Sequence, residues 1–467
     1  MTNAKERNST VSERTYDLVV RGGTIVTPQG RFRADLGVRD GSVCAVAQML
    51  PAAPAEVDAT GLLVLPGLVD AHVHFRDPGM TYKEDFGSGS RAAAVGGVTT
   101  VFDMPNTLPP VATAAIYADK IETIGPKAHV DYGVYGMLGQ GNASEIAGIS
   151  AQGAPGLKLF MGQTTGDNPC PDDGAIYAGL REAAANGLVV GVHAENNPLL
   201  QQLARELRAQ GRTDPRAHLE SRPDVVEVEA VTRIVTLATA ANAQLHIHHL
   251  STAAGLERVR QLRALGHVVS VEVLIGHLLL NDEAYETFGN LVKLNPPIRS
   301  QPNVDALWEG IARGDVDIIA TDHAPHSTDE QRETDVWCAH GGWIGVETLL
   351  PLLLTQAAAG RLSVSDIVRL CSFNPARNWH IEDRKGHLGV GADADFVLVD
   401  EQATSVIQAA SLHSLHPVTP FDGWPTVGVV RATYLRGQLV AADGEPVGAP
   451  SGAQVRPRTN RLAGALA

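Results

Sequence analysis

The sequence predicts an α/β fold, in which a (β/α)8 barrel carries a small β-sandwich domain formed by both termini. Two observations support this prediction. Residues 65–385 alternate short apolar segments with alanine-rich segments, which is typical of parallel strands that are each followed by a helix. Residues 16–64 and 386–450 contain short apolar runs separated by glycine turns, which is typical of antiparallel strands. A chain of 467 residues is long enough for one large and one small domain.

The two ends of the chain contain the segments expected to form the β-sandwich. On the N-terminal side these segments are DLVVRGGTIVT, ADLGVRDGSVCAVA and GLLVLPG. On the C-terminal side, GADADFVLVD and GVVRATYLRGQLVAADGEPV repeat the pattern, so we expect the two ends to form one domain. Residues 1–15 are charged and lack an apolar run, and we expect them to be a mobile tail, with a second tail at residues 451–467.

The barrel strands are predicted from apolar segments in the middle of the chain. In order, they include LLVLPGLV, TTVFDM, APGLKLFMG, LVVGVHAE, AQLHIHHLS, HVVSVEVL and VDIIATDH. Most of them adjoin an alanine-rich segment that is suited to a helix. An alternation that continues over about 300 residues favours a closed eight-stranded barrel over an open sheet.

The composition argues against several classes of function. The net charge of −15 disfavours binding to nucleic acid or to an anionic membrane. Aromatic residues make up only 5% of the chain, which disfavours a stacking surface for single-stranded nucleic acid. The N-terminus lacks the apolar core of a secretory signal, no apolar run is long enough to cross a membrane, and the four cysteines form no Cys-x-x-Cys pair. We therefore expect a cytoplasmic protein.

Polar side chains follow most of the predicted barrel strands, and in (β/α)8 barrels this is where active sites lie. On an extended segment, His72, His74 and Arg76 would share one face. Imidazole and carboxylate ligands suit zinc, so the pattern predicts a metal site at this end of the barrel. The candidate residues are His72, His74, Asp103, Asn106, Lys158, His193, His246, His248, His249, Asp322, His323 and His326.

Lys158 is unusual because it lies within the apolar run GLKLFMG. Two metal ions need a bridging anion, and no Asp or Glu stands at the ends of the third and fourth strands. Burial lowers the pKa of a lysine and favours the neutral amine, which can react with carbon dioxide to give an anionic carbamate. The alternative is a lysine that reaches water at the strand end. The surrounding histidines favour the carbamate.

A set of motifs resembles the cyclic amidohydrolases of the amidohydrolase superfamily. These motifs are DAHVHFRDPG, GGVTTVFDMPNTLPP, LKLFMGQTTGD, HAEN, LHIHHLST, NPPIR, TDHAPH, NPAR and GADADFVLVD, in family order over about residues 17–440. The resemblance implies a hydrolase of cyclic amides with two Zn2+ ions per chain. Carried over residue by residue, the implied ligands are His72, His74 and Asp322 for one ion, His193 and His249 for the other, and carboxylated Lys158 between them.

Within this family, the motifs resemble dihydroorotases at several positions. Arginine binds a carboxylate through two parallel hydrogen bonds, so Arg76 suits a substrate that carries one. The resemblance implies that Asp322 is the general acid–base that passes a proton to the departing nitrogen. The expected reaction interconverts dihydroorotate and N-carbamoyl-aspartate in pyrimidine biosynthesis. The implied substrate-binding residues are Arg76, Asn106, Asn295 and His326.

One departure from the dihydroorotase pattern leaves other substrates open. Dihydroorotases commonly carry Thr-Pro-His-His after the sixth strand, whereas this chain has Leu274, Ile275 and Gly276 before His277. The alternative is an allantoinase, or a hydantoinase or dihydropyrimidinase, acting on a cyclic ureide. A further alternative is a non-catalytic homologue that serves as an assembly partner.

Two segments near Lys158 carry smaller predictions. FMGQTTGD resembles the mobile loop that closes over the site in lysine-type dihydroorotases, in which case Thr164 and Thr165 would sense the substrate; a plain surface loop is the alternative. Asp172 and Asp173 are predicted to begin a helix. We also expect the protein to bind a small-molecule substrate and to be a homo-oligomer, a dimer or a tetramer.

Overall fold

The computed structural model describes residues 15–164 and 170–458. Nearly all of the predicted N-terminal tail therefore lies outside the described residues. The first described elements belong to the β domain, in which β1 pairs antiparallel with β2 and parallel with β4 and β5. Their bounds are β1 Leu18–Thr27, β2 Gly30–Arg39, β3 Ser42–Ala47, β4 Ala55–Asp58 and β5 Leu63–Pro66.

The next strands form the predicted (β/α)8 barrel, with eight strand positions among the described residues. They are β6 Leu68–Val73, β7 Val98–Asp103, β8 Asp131–Val134, β9 Gly136–Leu138, β10 Gly156–Phe160, β11 Val189–His193, β12 Leu245–Ile247, β13 Val269–Leu274 and β14 Ile318–Ala320. β8 and β9 are two parts of one position, separated by Tyr135. Neighbours pair in parallel, and a bridge between Val73 and His323 joins the last position to the first. The strands are almost wholly buried, which explains their continuous apolar sequence.

Helices cover the outside of the barrel, and several begin at a side chain that caps the first turn. In three helices, Phe86–Val95, Ala114–Ile124 and Ala253–Ala264, the side chain just before the first turn accepts a hydrogen bond from a backbone N–H group. These side chains are Asp85, Thr113 and Thr252. The helices are α1 Phe86–Val95, α2 Ala114–Ile124, α3 Ile146–Ala151, α4 Asp173–Ala185, α5 Asn197–Ala209, α6 Pro215–Glu220, α7 Asp224–Ala240, α8 Ala253–Ala264, α9 Ile275–Leu279, α10 Ala284–Phe288, α11 Gln301–Arg313, α12 Thr328–Gln331, α13 Leu349–Ala358, α14 Val364–Val368 and α15 Asn374–Asn378.

The chain returns to the β domain after α15, as the sequence predicts. The returning strands are β15 Phe396–Val406, β16 Pro425–Leu435, β17 Gln438–Ala442 and β18 Glu445–Pro446. β15 pairs with β5, so the strands of both termini form one continuous hydrogen-bonded sheet in the order β18-β17-β16-β15-β5-β1-β2-β3. Leu18, Leu36, Phe396 and Leu398 belong to a core cluster of this domain that is separate from the large core of the barrel.

Residues 451–458 differ from the predicted C-terminal tail because they pack against the barrel. The Val455 N–H donates to the Tyr132 carbonyl over 2.7 Å, and the Val455 side chain is buried. This segment therefore gains backbone hydrogen bonds and apolar contact, which hold it in place. None of the helices in the described part of the chain combines the length and the apolar composition that crossing a membrane requires.

Candidate metal centre and active site

Two histidines meet Asp322 at the mouth of the barrel. β6 ends at Val73, so His72 projects from the strand and His74 from the loop that follows it. The Nε2 atoms of His72 and His74 lie 3.2 and 3.1 Å from Asp322 Oδ1. Burial favours a higher pKa for the Asp322 carboxyl, but positive charge placed among His72, His74 and Asp322 outweighs it and lowers the pKa to about 2. Asp322 is therefore a carboxylate at neutral pH.

A second pair of histidines comes from the next part of the barrel. His193 is the last residue of β11, and His249 lies two residues beyond the end of β12. His193 Nδ1 is 3.0 Å from His249 Nε2. Burial lowers the pKa of both imidazoles below the usual value, so both are neutral. Neutral imidazole is the form that binds a metal ion.

Lys158 reaches the cavity from β10 and is buried. Its Nζ has no hydrogen-bond partner among the described residues and lies 5.1 Å from the centre of the Phe160 ring. Burial lowers the pKa of the amine to about 8, so a substantial fraction is neutral near that pH. An unpartnered buried ammonium group is costly, and this site therefore favours either the neutral amine or an added group that supplies partners.

The hydrogen bonds assign the tautomers of three of these histidines, and the assignment tests whether a metal fits. His72 Nδ1 is 2.7 Å from Glu272 Oε1, and His193 Nε2 is 2.7 Å from Glu195 Oε2. A carboxylate can only accept, so each of these ring nitrogens donates and the opposite nitrogen of each ring carries a lone pair. In the same way, His74 Nδ1 donates to the Asn106 Oδ1 atom over 3.0 Å.

The bare lone pairs of His72 and His74 consequently point at the Asp322 carboxylate, and that of His193 points at His249. The contacts of 3.2 and 3.1 Å between the His72 and His74 ring nitrogens and Asp322 join two acceptors and are repulsive unless a cation lies among them. The ligand atoms of His72, His249 and Asp322 also lie within 4.8 Å of one another. Imidazole and carboxylate donors in this arrangement fit metal ions such as zinc.

These groups line one cavity at the carboxyl end of the barrel. Most of the residues that the sequence predicts as ligands or substrate contacts face it. The lining residues are His72, His74, Arg76, Asn106, Lys158, Phe160, Thr164, His193, His249, Leu294, Asn295, Asp322, Ala324 and Gly341. Thr164 thus lies at the cavity, whereas Thr165 lies outside the described residues.

Arg76 enters the cavity from the loop after β6 and not from the strand face that the sequence suggests. Its backbone has φ of +63°, a left-handed conformation that is uncommon for a residue other than glycine. Arg76 Nε donates to the Pro325 carbonyl over 3.2 Å, and one terminal nitrogen is 3.4 Å from His326 Nε2. The second terminal nitrogen, Nη1, has no hydrogen-bond partner among the described residues and is available to a ligand.

His326 is predicted to contact substrate, but the structure places it behind Arg76. In the part of the chain that the structure describes, the residues that line the cavity do not include His326. Its Nε2 also lies 3.1 Å from the Gly341 carbonyl, and its Nδ1 lies 3.3 Å from Lys83 Nζ. Because its ring is buried between these groups, His326 lies behind Arg76 and does not face the cavity.

Several other polar candidates have structural roles. Asp103 Oδ1 accepts from the Phe75 N–H over 2.8 Å, and its other oxygen pairs with Lys120. His323 Nδ1 accepts from two backbone N–H groups in the loop before α13. The Asp172 side chain caps α4 by accepting from the Ala175 N–H, so Asp172 begins a helix as predicted.

Two buried carboxylates that support the histidines are absent from the predicted site residues. Glu195 lies two residues after His193, between that ring and Arg222. Glu272 lies inside the apolar strand segment VEVL on β13 and contacts the histidines of two other strands. The signal in the sequence is a charged residue within an apolar strand, the same signal that identifies Lys158. Its partners are far away in the sequence, which is why the pattern alone does not assign a role.

Comparisons with known proteins agree with this geometry. Residues 63–440 match the amidohydrolase family. The chain is 40% identical to an allantoinase of Rubrobacter xylanophilus, over 96% of this chain and 99% of that protein. It is 39% identical to a dihydroorotase of Methanothermobacter thermautotrophicus, over 88% of this chain and 91% of that protein.

Among solved structures, the chain resembles an L-hydantoinase (dihydropyrimidinase) from Arthrobacter aurescens, with a TM-score of 0.93 and 34% identity. The match covers 95% of this chain and all of that chain. The prediction of a cyclic amidohydrolase is confirmed. The finer prediction of a dihydroorotase is not, since the comparisons support the alternative of an allantoinase or hydantoinase better.

Proposed function

The chain belongs to the amidohydrolase family and is a cyclic-amide hydrolase; from this premise we propose that it opens the ring of a cyclic ureide, allantoin first and hydantoins second. The observation that carries the proposal is the cavity itself, where histidine lone pairs and the Asp322 carboxylate converge beside Lys158. The 40% identity to an allantoinase over nearly the whole of both chains supports allantoin as the substrate.

The proposed centre contains two Zn2+ ions. His72, His74 and Asp322 would hold one ion, His193 and His249 the other, and a carboxylated Lys158 would bridge them. Burial supports this modification because it lowers the pKa of the Lys158 amine to about 8 and makes the nucleophilic neutral form accessible. When bound, zinc lowers the pKa of a water molecule and polarises a carbonyl group.

The residues around this centre have separate proposed roles. Asp322 accepts a proton from the attacking water and delivers it to the ring nitrogen as the C–N bond breaks and a C–O bond forms. A metal ion shared with His72 and His74 would hold this carboxylate in place and ionised. Asn106 orients His74, and Arg76 offers Nη1 to a polar substituent on the ring.

Dihydroorotate remains a second candidate because of Arg76. A guanidinium binds a carboxylate through two parallel bonds, and dihydroorotate carries one. The ureido group of allantoin offers a carbonyl to the same N–H groups, so Arg76 is compatible with both substrates. Relative rates therefore decide between them.

A substrate panel tests the proposal. The purified protein, supplied with zinc and bicarbonate, should contain about two zinc ions per chain and should open allantoin or hydantoin with a higher kcat/KM than dihydroorotate or dihydrouracil. A higher kcat/KM for dihydroorotate would favour the second candidate. Less than one zinc ion per chain after reconstitution would contradict the binuclear centre, and no turnover of any of the four would favour a non-catalytic homologue. The expected homo-oligomer stays a prediction, which light scattering would test.

A further inference from the structure

We propose that Glu272 is a positioning residue shared by both metal positions. This one buried carboxylate then raises the affinity of both positions for a metal ion. This inference rests on the proposed binuclear centre. It extends that proposal because Glu272 touches no cavity surface and is not among the proposed ligands.

The two oxygens of Glu272 divide their contacts between ligands and non-ligands. Oε1 lies 2.7 Å from Nδ1 of His72, a proposed ligand of the first ion, and accepts the backbone N–H of His249, a proposed ligand of the second, over 3.2 Å. Oε2 lies 3.2 Å from Nδ1 of His248 and 3.4 Å from Nε2 of His246. A single oxygen therefore reaches a residue of each metal position.

Each of the two Oε1 contacts controls something that a metal ligand needs. Because the carboxylate only accepts, His72 must carry its proton on Nδ1, which leaves the Nε2 lone pair facing Asp322. His249 has a backbone φ of +38°, an uncommon conformation for a residue other than glycine, and the bond to its N–H stabilises this conformation. Its Nε2 consequently faces His193.

The contacts of Oε2 keep the carboxylate from rotating. His246 Nδ1 is 2.9 Å from Ser270 Oγ, which in turn lies 2.7 Å from Asn378 Oδ1. His248 packs so closely over β11 that a Cβ on Gly191 would lie 2.1 Å from His248 Nε2. The non-ligand histidines of the HIHH segment thus have a role, since they hold Glu272 from behind the metal centre.

Glu195 provides the matched control because it supports one metal position alone. Its Oε2 lies 2.7 Å from His193 Nε2, and its other charged partner is Arg222. Both glutamates are fully buried, and both hold a proposed ligand through a ring nitrogen. They differ in that Glu272 also reaches a ligand residue of the other position.

The test measures the affinity of both metal positions for added metal ions. It uses the metal-free wild-type protein and its Glu272→Gln and Glu195→Gln variants. Co2+ is titrated by calorimetry and by its visible absorption, and thermal unfolding of the metal-free forms checks that each variant is folded. Loss of an outer carboxylate typically costs about 10–100-fold in metal affinity. Glu272→Gln should weaken both binding steps by about this factor, and Glu195→Gln should weaken only one.

The inference would be overturned if a folded Glu272→Gln protein bound Co2+ at either of the two positions with the affinity of the wild type. If Glu272→Gln does not fold, Glu272→Asp keeps the charge but shortens the reach; weakening of both steps supports the inference, and weakening of one or neither overturns it. A wild-type protein that binds fewer than two Co2+ ions contradicts the binuclear centre instead. The stoichiometry of the wild type therefore separates failure of the proposed function from failure of the Glu272 inference.

Discussion

The floor and the rim of the cavity are built in different ways. The floor comprises His72, His74, Lys158, His193, His249 and Asp322, and the rim comprises Arg76, Asn106, Asn295 and Thr164. The floor side chains project from barrel strands or from residues just beyond them, and three of the four floor histidines donate a ring N–H to Glu272, Glu195 or Asn106. The rim side chains come from loops.

We infer that this difference separates the residues for the reaction from the residues for substrate specificity. Strands and hydrogen-bond acceptors fix the ring orientation of three of the four floor histidines, as metal ligands require. Loops can differ in length and sequence without disturbing the barrel, so the rim is where related enzymes can come to prefer different rings.

Removing Lys158 should have the largest effect, because this residue is the proposed bridge between the two metal ions. Lys158→Ala should reduce activity to near background and should remove most of the second metal ion, as measured by elemental analysis. Short-chain carboxylic acids should restore part of the activity by supplying a bridging anion. Lys127→Ala, which removes a lysine paired with Asp77 outside the cavity, is the control and should retain activity. An active Lys158→Ala enzyme would refute the bridge.

Neutralising Asp322 should be the next most severe change to the floor. Asp322→Asn retains the size of the side chain but loses the charge that accepts a proton, and general acid–base catalysis contributes about 10²–10⁴-fold. We expect a loss of this size in kcat for the best substrate of the panel. Asp172→Asn is the matched control, because asparagine also caps a helix well and α4 lies outside the cavity. A loss smaller than about tenfold would assign the proton transfer to another group.

Arg76→Met tests the rim, and we expect it to affect the four substrates unequally. A hydrogen bond to a charged group contributes about 1.5–3 kcal/mol, which predicts a loss of about 10- to 200-fold in kcat/KM for dihydroorotate. A single bond from the guanidinium to the neutral ureido carbonyl of allantoin lacks the second charge and the second parallel bond, which predicts a smaller loss for allantoin than for dihydroorotate. Unsubstituted hydantoin and dihydrouracil are the internal controls. Equal losses for all four rings would mean that Arg76 only braces its loop.

The last prediction concerns how the carboxylation of Lys158 depends on pH. The lowered pKa of about 8 for Lys158 means that the neutral amine increases as the pH rises through 8. The fraction of neutral amine is about tenfold higher at pH 9 than at pH 7. Incorporation of 13C-labelled carbon dioxide into the metal-free protein, followed by NMR, should rise by about this factor at a constant concentration of dissolved carbon dioxide. A flat profile would contradict attack by the Lys158 amine.

Much of the floor could be predicted because a barrel has a simple geometric rule. The carboxyl ends of parallel strands meet at one end of the barrel, so residues far apart in the sequence, such as His72, Lys158 and His193, must lie near one another there. The alternation of apolar and alanine-rich segments predicts the strands, and the polar residues after them predict the site. The choice of His249 over His248 came from the family resemblance, and the structure places His249 at the cavity and His248 behind it.

Only the tertiary structure decided how those residues are oriented and supported. Arg76 reaches the cavity through a left-handed backbone conformation, and His326 lies behind it. Glu195 and Glu272 contribute as hydrogen-bond acceptors for rings on other strands or loops. Sequence periodicity indicates which face a residue occupies, but a hydrogen bond is made or lost through differences of a few tenths of an ångström in the distance between atoms of distant segments. The packing of the whole barrel sets those distances, and so it decides which ring nitrogen faces the centre.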